Sequence, residues 1–321
     1  MLEYIALFIS SIFFTVATVP LVNSAGIKLN IFDKPENRKQ HKNEIVRLGG
    51  ISIMLGFLVS LFLLDIFSKS SIIIENRVLI ILITCFFLLG LVDDIKRISP
   101  WTRLVIEIIL ASLSWINNYG IYAFDFSFSS TPQLYYELPL FLSFFITLVW
   151  IVGITNAINW MDGLDGLASG VIIIAAFGMI LVSNKFGNLD EIYFLVILCG
   201  VCLGFLKFNF YPSKILMGDC GSYLLGFCIA LFTVSGSTRD IDSIQNLSST
   251  SILIPALVLF IPLFDMARVI LSRILKNKSP FFPDRNHLHY LLIDRGLNHK
   301  ITVITMYIFS FISFLLLALI I

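Results

Sequence analysis

Charged side chains are scarce in this sequence. Asp, Glu, Lys and Arg make up 13% of its 321 residues, whereas hydrophobic residues make up 58%. An ordinary soluble domain has about a quarter charged residues, so the scarcity excludes a typical soluble globular protein. The net charge of +1 hides an uneven distribution of charge along the chain. We therefore expect membrane lipid, and no nucleic acid, among the partners of this chain.

Cysteine and histidine are also few, with five cysteines and four histidines in the whole chain. The cysteines all lie in or beside apolar runs, where packing is their usual role. Cys199 and Cys202 form a C-x-x-C pair without a nearby histidine, which argues against a metal or redox site. His287 and His289 have no cysteine close by in the sequence, so we do not expect a zinc site there.

Apolar runs of about twenty residues follow one another along the chain, each long enough to cross a membrane as a helix. We predict an all-α polytopic membrane protein, a single integral membrane domain over residues 1–321, with about ten transmembrane helices. The first run lacks a preceding basic segment and a small-residue cleavage site, which favours a membrane helix over a signal peptide. The predicted spans are residues 3–24, 48–66, 75–92, 102–118, 138–157, 167–184, 190–206, 220–236, 250–272 and 301–321.

Basic residues are distributed unevenly between the two sets of predicted loops. The loops after the first, third, fifth, seventh and ninth spans hold all but four of the 22 lysines and arginines. Because positive charge collects in cytoplasmic loops, these five loops are predicted to face the cytoplasm, with both termini outside.

Acidic residues at membrane boundaries collect on the same predicted face. Most acids of this face lie in pairs or beside glycine, whereas those of the outer loops have unpatterned surroundings. They are Asp93 and Asp94 after span 3, Asp162 and Asp165 after span 5, Asp219 before span 8 and Asp265 in span 9. Because a charge at a bilayer boundary is costly unless it has a partner or a function, this convergence indicates a functional site.

The segment NWMDGLDGLASG places Asp162 and Asp165 three residues apart between glycines. On a helical turn, two such residues share a face, and their like charges repel unless a cation lies between them. A hard divalent ion such as Mg²⁺ suits these oxygen ligands, most of all where phosphates complete the coordination. Asp219 in MGDCGS offers a third carboxylate.

Cationic and histidine side chains on the same face suit a phosphate. Arg285, His287 and His289 lie close together in SPFFPDRNHLHYLL, and such groups donate hydrogen bonds to phosphate oxygens. Arg103, at the start of span 4, is a further candidate, and we expect Glu107 to form a helical ion pair with it. These parts together predict phosphoryl transfer, in which a protein mainly positions the reactants and neutralises charge.

Four segments in this order resemble the polyprenyl-phosphate N-acetylhexosamine-1-phosphate transferases: GLVDD, NAINWMDGLDGLASG, FNFYPSKILMGDCGSYLLGF and SPFFPDRNHLHYLL. The resemblance spans nearly the whole chain. It is closer to the bacterial branch that initiates O-antigen, enterobacterial common antigen, teichoic acid and related glycans than to phospho-MurNAc-pentapeptide translocase.

The resemblance implies a reaction, a cofactor and a location. A sugar 1-phosphate would pass from UDP-GlcNAc, or a related UDP-N-acetylated amino sugar, to undecaprenyl phosphate, with release of UMP. Mg²⁺ is the implied cofactor, with Mn²⁺ as an alternative. The implied location is the bacterial inner membrane, with an active-site cleft on the cytoplasmic face.

The resemblance also implies roles for individual residues. The implied catalytic residues are Asp93, Asp94, Asp162, Asp165, Asp219, His287 and His289. The implied substrate-binding residues are Asn156, Asn159, Asn209, Arg103, Arg268 and Arg285. Asp219 is the principal expected metal ligand, with Asp94 as a second. Because a phosphate monoester is largely a dianion at neutral pH, we expect Asp93 and Asp94 to act in metal binding and orientation rather than as a base.

Tyr290 departs from the family pattern, since relatives commonly read H-x-H-H at this point. A tyrosine donates one hydrogen bond but carries no positive charge. Either this position is dispensable or recognition of the donor sugar differs in this chain. The sequence leaves open the donor sugar, the glycan pathway and the oligomeric state, a homodimer included.

An ion-coupled membrane transporter is the main alternative function, because acids in membrane segments also mark ion pathways. Such a transporter would hold its acids near the middle of its spans and would show a repeat between its two halves. The sequence has neither feature.

Overall fold

The structure is a computed structural model that describes residues 2–33, 44–68, 72–125, 135–234, 253–280 and 284–320. The helices in these ranges are α1 (Leu2–Lys28), α2 (Gly49–Ser68), α3 (Ile72–Glu75), α4 (Arg77–Lys96), α5 (Pro100–Ile116), α6 (Leu140–Met161), α7 (Leu167–Phe186), α8 (Leu189–Asn209), α9 (Gly218–Phe232), α10 (Leu253–Val258), α11 (Phe260–Leu275), α12 (Leu288–Asp294) and α13 (His299–Ile320). Two short antiparallel pairs join β1 (Phe32–Asp33) to β2 (Ile45–Val46) and β3 (Ala123–Asp125) to β4 (Tyr135–Glu137).

The prediction of an all-α polytopic membrane protein is confirmed, but the count of ten spans is not. In the described part of the chain, seven helices are long and apolar enough to cross a membrane, namely α1, α2, α4, α6, α7, α8 and α13. The other three predicted spans also contain helices. However, α5 has 17 residues, α9 has 15, and the ninth span is divided at Leu259 into α10 and α11.

Helix α9 lies in the interior of the bundle, where it packs against α2, α4 and α6. Every residue of α9 is buried except Asp219, in its first turn. The ring of Phe227 stacks on Phe86 of α4, with the ring centroids 4.1 Å apart. A helix enclosed in this way presents almost no side chain to lipid, so its first turn is the part available to a ligand.

Glycines allow the helices around α9 to approach it closely. A Cβ atom on Gly50 of α2 would lie 2.2 Å from the backbone nitrogen of Gly221. A Cβ atom on Gly90 of α4 would lie 2.3 Å from the carbonyl oxygen of Asp219. Small residues permit such backbone contacts between membrane helices. The first turn of α9 is therefore fixed between α2 and α4.

The chain just before α2 is tied to the start of α9 by backbone hydrogen bonds. The carbonyl oxygen of Val46 accepts from the Leu216 nitrogen at 2.8 Å, and the Gly49 nitrogen donates to the Leu216 oxygen at 2.9 Å. These bonds bring Arg47 beside α9. Residues 34–43, which contain several of the basic residues used to predict orientation, lie outside the described ranges.

We expect Gly90→Ala to lower the melting temperature of the protein in detergent, because the added methyl group collides with the backbone of α9. Overpacking of this kind costs roughly 1–3 kcal/mol. Gly153→Ala is the matched control, since its Cβ atom would meet only the end of the Met266 side chain, at 3.6 Å. Equal melting temperatures for the two variants would contradict the close contact of α4 with α9.

Candidate active site

Asp219 stands at the start of α9 with its carboxylate held by two donors. Its Oδ2 accepts from Nη2 of Arg47 at 2.8 Å, and its Oδ1 accepts from Nδ2 of Asn159 at 2.8 Å. Only glycine suits position 218, just before Asp219. Its φ of +74° belongs to the left-handed region, and a Cβ atom there would lie 2.7 Å from Oδ2 of Asp94. The Asp219 side chain keeps 20% of its surface exposed, so it can still contact a ligand.

Asp94 caps the N-terminus of α9 from the neighbouring helix α4. Its Oδ1 accepts from the backbone nitrogen of Asp219 and its Oδ2 from that of Cys220, both at 2.9 Å. Arg47 Nη2 also contacts Asp94 Oδ1 at 2.8 Å, and the Asp94 side chain is fully buried. The first N–H groups of a helix have no partner within the helix, so Asp94 satisfies two of them. In this structure, its direct effect is to position Asp219.

Asp93 is engaged at both carboxylate oxygens as well. Oδ1 accepts from the backbone nitrogen of Ile98 at 2.8 Å, just beyond the end of α4. Oδ2 pairs with Nη1 of Arg103 at 2.7 Å. Asp93 therefore ties the end of α4 to Arg103 at the start of α5, and both partners fit the orienting role expected from the sequence.

The two acids of MDGLDG have different surroundings. Asp165 Oδ2 accepts from the backbone nitrogen of Ser213 at 3.0 Å, which ties the loop before α9 to the loop after α6. No donor among the described residues reaches the carboxylate of Asp162. Burial, and then the negative charge of Asp219, raise the pKa of Asp162 well above its ordinary value, although Arg47 opposes this. Of this pair, Asp162 is thus the acid whose repulsion by Asp219 a bound cation would reduce.

Asn156 is oriented by partners that can only accept hydrogen bonds. Its Nδ2 donates to Oε2 of Glu107 and to the carbonyl oxygen of Val152, the latter at 2.9 Å. Glu107 is only 1% exposed. The expected helical ion pair of Glu107 with Arg103 is wrong, because Arg103 turns to Asp93 and Asn156 takes the Glu107 carboxylate.

Asn159 is oriented in the same way. Its Nδ2 donates to Asp219 Oδ1 and to Ser222 Oγ, both at 2.8 Å. A carboxylate cannot donate, so the amide nitrogen must face Asp219. In both Asn156 and Asn159, the amide nitrogen is therefore used within the protein, and the amide oxygen is left to accept from a ligand.

Asn209 is buried and forms hydrogen bonds with two loops. Its Oδ1 accepts from the Gly166 nitrogen and its Nδ2 donates to the Ile215 oxygen, both at 3.0 Å. The residue is only 2% exposed. In this structure Asn209 joins the loop after α6 to the loop before α9, and its contact with substrate stays a prediction.

The two histidines of the last inner loop lie against the loop after α6. The His287 ring is 5.7 Å from that of Trp160, and its Nδ1 lies 2.8 Å from Oδ2 of Asp265. His289 is fully buried, and a Cβ atom on Gly163 would lie 2.7 Å from its Nε2. Burial, together with the neighbouring His287, lowers the pKa of His289 to about 3, so this ring is neutral.

The arginines near the two histidines form ion pairs with nearby acids. Arg268 contacts Asp265 at 2.9 Å, and Arg285 contacts Asp294 at 2.9 Å. Arg285 also lies over the ring of Tyr290, with its Cζ 5.2 Å from the ring centroid. The Tyr290 hydroxyl in turn lies 3.4 Å from the carbonyl oxygen of Gly163. These contacts fold the loop onto the segment after α6.

The predicted site residues fall into two groups in the structure. Those gathered around the first turn of α9 and the neighbouring helix ends are Asp93, Asp94, Arg103, Asn156, Asn159, Asp162 and Asp219. Those engaged in the surrounding loops are Asp165, Asn209, Arg268, Arg285, His287 and His289.

The sequence did not predict three sets of contacts that hold this arrangement together. They are those of Arg47 with Asp94 and Asp219, of Glu107 with Asn156, and of Asp265 with His287. The one sequence signal for Arg47 is its place just before the two glycines that open α2. Its partner Asp219 is 172 residues away in the chain.

The described residues contain no group of three His, Cys, Asp or Glu side chains that could hold a metal ion alone. Mg²⁺ commonly takes one or two carboxylates and completes its shell with water and substrate phosphates. Asp219, which is partly exposed, and Asp162, whose carboxylate accepts from none of the described residues, are the carboxylates of this site that suit such an ion.

Without divalent ions, we expect Asp162→Asn to raise the melting temperature at neutral pH, because it removes a charge that Asp219 repels. A carboxyl group whose pKa is raised by folding destabilises the fold as the pH rises from the ordinary Asp range through the raised pKa. The difference in melting temperature between Asp162→Asn and the wild type should therefore vanish as the pH falls into the ordinary Asp range.

Asp165→Asn is the matched control for Asp162→Asn. It removes the same charge from a carboxylate that accepts a hydrogen bond from Ser213, so no rise in melting temperature is expected. A lowered melting temperature for Asp162→Asn at neutral pH would contradict the absence of a partner for Asp162.

Comparison with known proteins places this chain in a family. Residues 76–237 match the model described as glycosyl transferase family 4. The chain is 32% identical over 315 residues to a probable undecaprenyl-phosphate N-acetylglucosaminyl 1-phosphate transferase of Bacillus subtilis (strain 168), covering 97% of this chain and 83% of that protein.

Two further relatives show the same similarity over most of the chain. The undecaprenyl-phosphate alpha-N-acetylglucosaminyl 1-phosphate transferase of Escherichia coli O157:H7 is 29% identical over 91% of this chain and 77% of its own length. The decaprenyl-phosphate N-acetylglucosaminephosphotransferase of Mycobacterium leprae is 29% identical over 90% of this chain and 76% of its own length. The chain therefore belongs to glycosyl transferase family 4 and, within it, to the polyprenyl-phosphate N-acetylglucosamine-1-phosphate transferase family.

Proposed function

We propose that this chain transfers an N-acetylhexosamine 1-phosphate from a UDP-sugar to undecaprenyl phosphate, giving undecaprenyl-diphosphate-sugar and UMP. The observation that carries the proposal is the gathering of Asp93, Asp162 and Asp219 with Arg47 and Arg103 at one end of an apolar helix bundle. The names of the relatives describe polyprenyl phosphate as the acceptor and N-acetylglucosamine phosphate as the transferred group, which supports UDP-GlcNAc as the first donor to test.

The proposed reaction forms one P–O bond and breaks another. An oxygen of the lipid phosphate attacks the phosphorus that carries the sugar. The bond from this phosphorus to the bridging oxygen breaks, and UMP leaves with that oxygen. Because the lipid phosphate is largely a dianion at neutral pH, the attacking oxygen needs no base. The contribution of the protein is then positioning and charge neutralisation.

We assign the proposed Mg²⁺ to Asp219 and Asp162. When bound there, the ion would neutralise charge on the diphosphate of the donor. Asp94 was expected as the second ligand, but its oxygens accept from two backbone N–H groups and contact Arg47. We therefore propose that Asp94 orients the turn that carries Asp219. Mn²⁺ is an alternative ion for the same oxygen ligands.

The arginines and amides around this site provide the remaining contacts for phosphate and donor. Arg47 and Arg103 are partly exposed, at 19% and 22% of their side-chain surface, and each already lies beside an acid. We propose that Arg103, at the start of α5, binds the lipid phosphate. The amide oxygens of Asn156 and Asn159 would accept from N–H or O–H groups of the donor.

The proposed site faces the cytoplasm, since the loops at this end of the bundle hold most of the basic residues. UDP-sugars are made in the cytoplasm, and a lipid phosphate can reach the site from the inner leaflet. The product would then supply cell-surface polysaccharide synthesis, O-antigen and cell wall glycans included.

Purified protein with undecaprenyl phosphate, Mg²⁺ and UDP-GlcNAc is expected to release UMP and form a lipid-linked sugar diphosphate. EDTA should stop the release, and added Mg²⁺ should restore it. Asp219→Asn should reduce the rate roughly 100-fold or more, because it removes a charged ligand from the diphosphate site. Chromatography of nucleotide and lipid products measures each of these outcomes.

Asp190→Asn is the control for the assay, because this exposed acid lies in the first turn of α8, at the opposite end of the bundle. Its rate should equal that of the wild type. A panel of UDP-N-acetylhexosamines should accompany UDP-GlcNAc, and the absence of UMP with every member would reject the proposed function.

We expect Asp93→Asn to lower the transfer rate roughly 10- to 100-fold at every pH, as the loss of an orienting partner does. The variant weakens the contact that holds Arg103 at 2.7 Å. Because the proposed role is orientation, raising the pH should not restore the rate. Full recovery at alkaline pH, measured against a wild-type pH profile, would instead identify Asp93 as a base.

A further inference from the structure

Glu107 is a buried acid in the apolar part of α5. Its neighbours Val105, Ile108 and Ile109 are exposed, as residues that face lipid are, whereas Glu107 is only 1% exposed and lies on the side of α5 that is buried in the bundle. An ionisable side chain in a membrane segment is costly and commonly has a function. The contacts of Glu107 indicate what that function is.

Glu107 does not form the ion pair that its own helix offers. Arg103, one turn earlier in α5, pairs with Asp93 at 2.7 Å. Instead, Oε2 of Glu107 accepts a hydrogen bond from Nδ2 of Asn156, on the neighbouring helix α6. Asn156 lies one turn before Asn159, whose Nδ2 donates to Asp219 at 2.8 Å. Glu107 therefore acts on a side chain next to the proposed metal site.

The partners of Asn156 fix which atom of its amide faces the cleft. Nδ2 also donates to the carbonyl oxygen of Val152 at 2.9 Å, and a carbonyl oxygen can only accept. A carboxyl group keeps an accepting oxygen with or without a proton, so this arrangement holds for either form of Glu107. Asn156 is partly exposed, and its Oδ1 has no hydrogen-bond partner in the described part of the chain. This oxygen is available to a ligand.

We propose that Glu107 is a positioning residue, which holds the Asn156 amide so that Oδ1 accepts a hydrogen bond from the UDP-sugar. The group that binds to this oxygen must be an N–H or an O–H. The polyprenyl chain and its phosphate dianion have neither, so the group belongs to the UDP-sugar and not to the lipid. This inference rests on the proposed function for the identity of the ligand.

Two substitutions of Glu107 separate the hydrogen bond from the space that the side chain fills. Glu107→Leu removes the acceptor, and it should raise KM for the UDP-sugar roughly 10-fold, because Asn156 is no longer held toward the donor. KM for undecaprenyl phosphate should stay near that of the wild type. Glu107→Gln keeps an accepting oxygen, so both KM values should stay within about 3-fold of the wild type.

Ser114→Ala is the matched control for these variants. Ser114 is buried on the same face of α5, and its hydroxyl donates to the carbonyl oxygen of Leu110 in the same helix. The loss of this hydroxyl should leave both KM values unchanged.

An exchange of the two side chains tests whether Glu107 acts through Asn156. Asn156→Asp alone places two carboxyl groups together, which repel, and it should raise KM for the UDP-sugar roughly 10-fold or more. Added Glu107→Gln should bring KM back to within about 3-fold of the wild type, because the new amide donates to one oxygen at position 156 and leaves the other for the ligand. A role of Glu107 in packing alone predicts no such recovery.

A wild-type KM for the UDP-sugar in folded Glu107→Leu, or a rise in KM for the lipid alone, would overturn the role of Glu107. If Glu107→Leu fails to fold, the exchange decides, since a double variant no better than Asn156→Asp contradicts the proposal. Failure of the wild type to release UMP with every UDP-sugar would reject the proposed function instead. The melting temperatures of the wild type, the two single variants and the double variant would still measure the contact between Glu107 and Asn156.

Discussion

The buried N-terminus of α9 is the constraint on which this site depends. Unpaired N–H groups in apolar surroundings cost free energy, and α9 begins inside the bundle. Asp94 accepts from two of these groups, and Arg47 balances the charges of Asp94 and Asp219 together. The same contacts that allow a short helix to begin in the interior therefore also place one partly exposed carboxylate at the cleft. Loss of Arg47 would leave two neighbouring carboxylates without their shared cation, which is costly for buried groups.

Carboxylates that look alike in the sequence differ in the structure by the donors that reach them. Asp93, Asp94 and Asp165 all accept from backbone N–H groups, so each fixes a chain segment. Asp162 has no such donor in the described part of the chain, and Asp219 accepts only from side chains. A backbone N–H fixes a carboxylate in place, whereas a side-chain donor can move when a ligand binds. This difference supports the proposed division, in which the first three acids hold chain segments in place and the last two bind the ligand.

Much of the fold and part of the site could be predicted because membrane segments constrain composition strongly. Apolar runs identified every long helix of the described ranges, and acids at span ends stood out because charge there is rare. The expectation that a membrane helix has about twenty residues failed for α9. A helix enclosed by other helices need not match the thickness of a bilayer. Arg47 could not be predicted, because its pairing with Asp219 depends on how the first inner loop docks on α9. Glu107 was assigned to Arg103 by helical spacing, but a partner on another helix, Asn156, competes successfully for it.

The described arginines nearest to Tyr290 in the chain are already paired, and this bears on the role of Tyr290. Arg268 and Arg285 are paired with acids of their own region, and His289 is buried and neutral. The residues around Tyr290 thus provide no unpaired positive charge that a histidine at this position would have reinforced. Instead, Tyr290 packs under Arg285 and reaches the backbone of Gly163, so it holds the loop against the acidic segment. In the proposed reaction, the charge of the diphosphate would then be balanced by Arg47, Arg103 and a cation at Asp162 and Asp219.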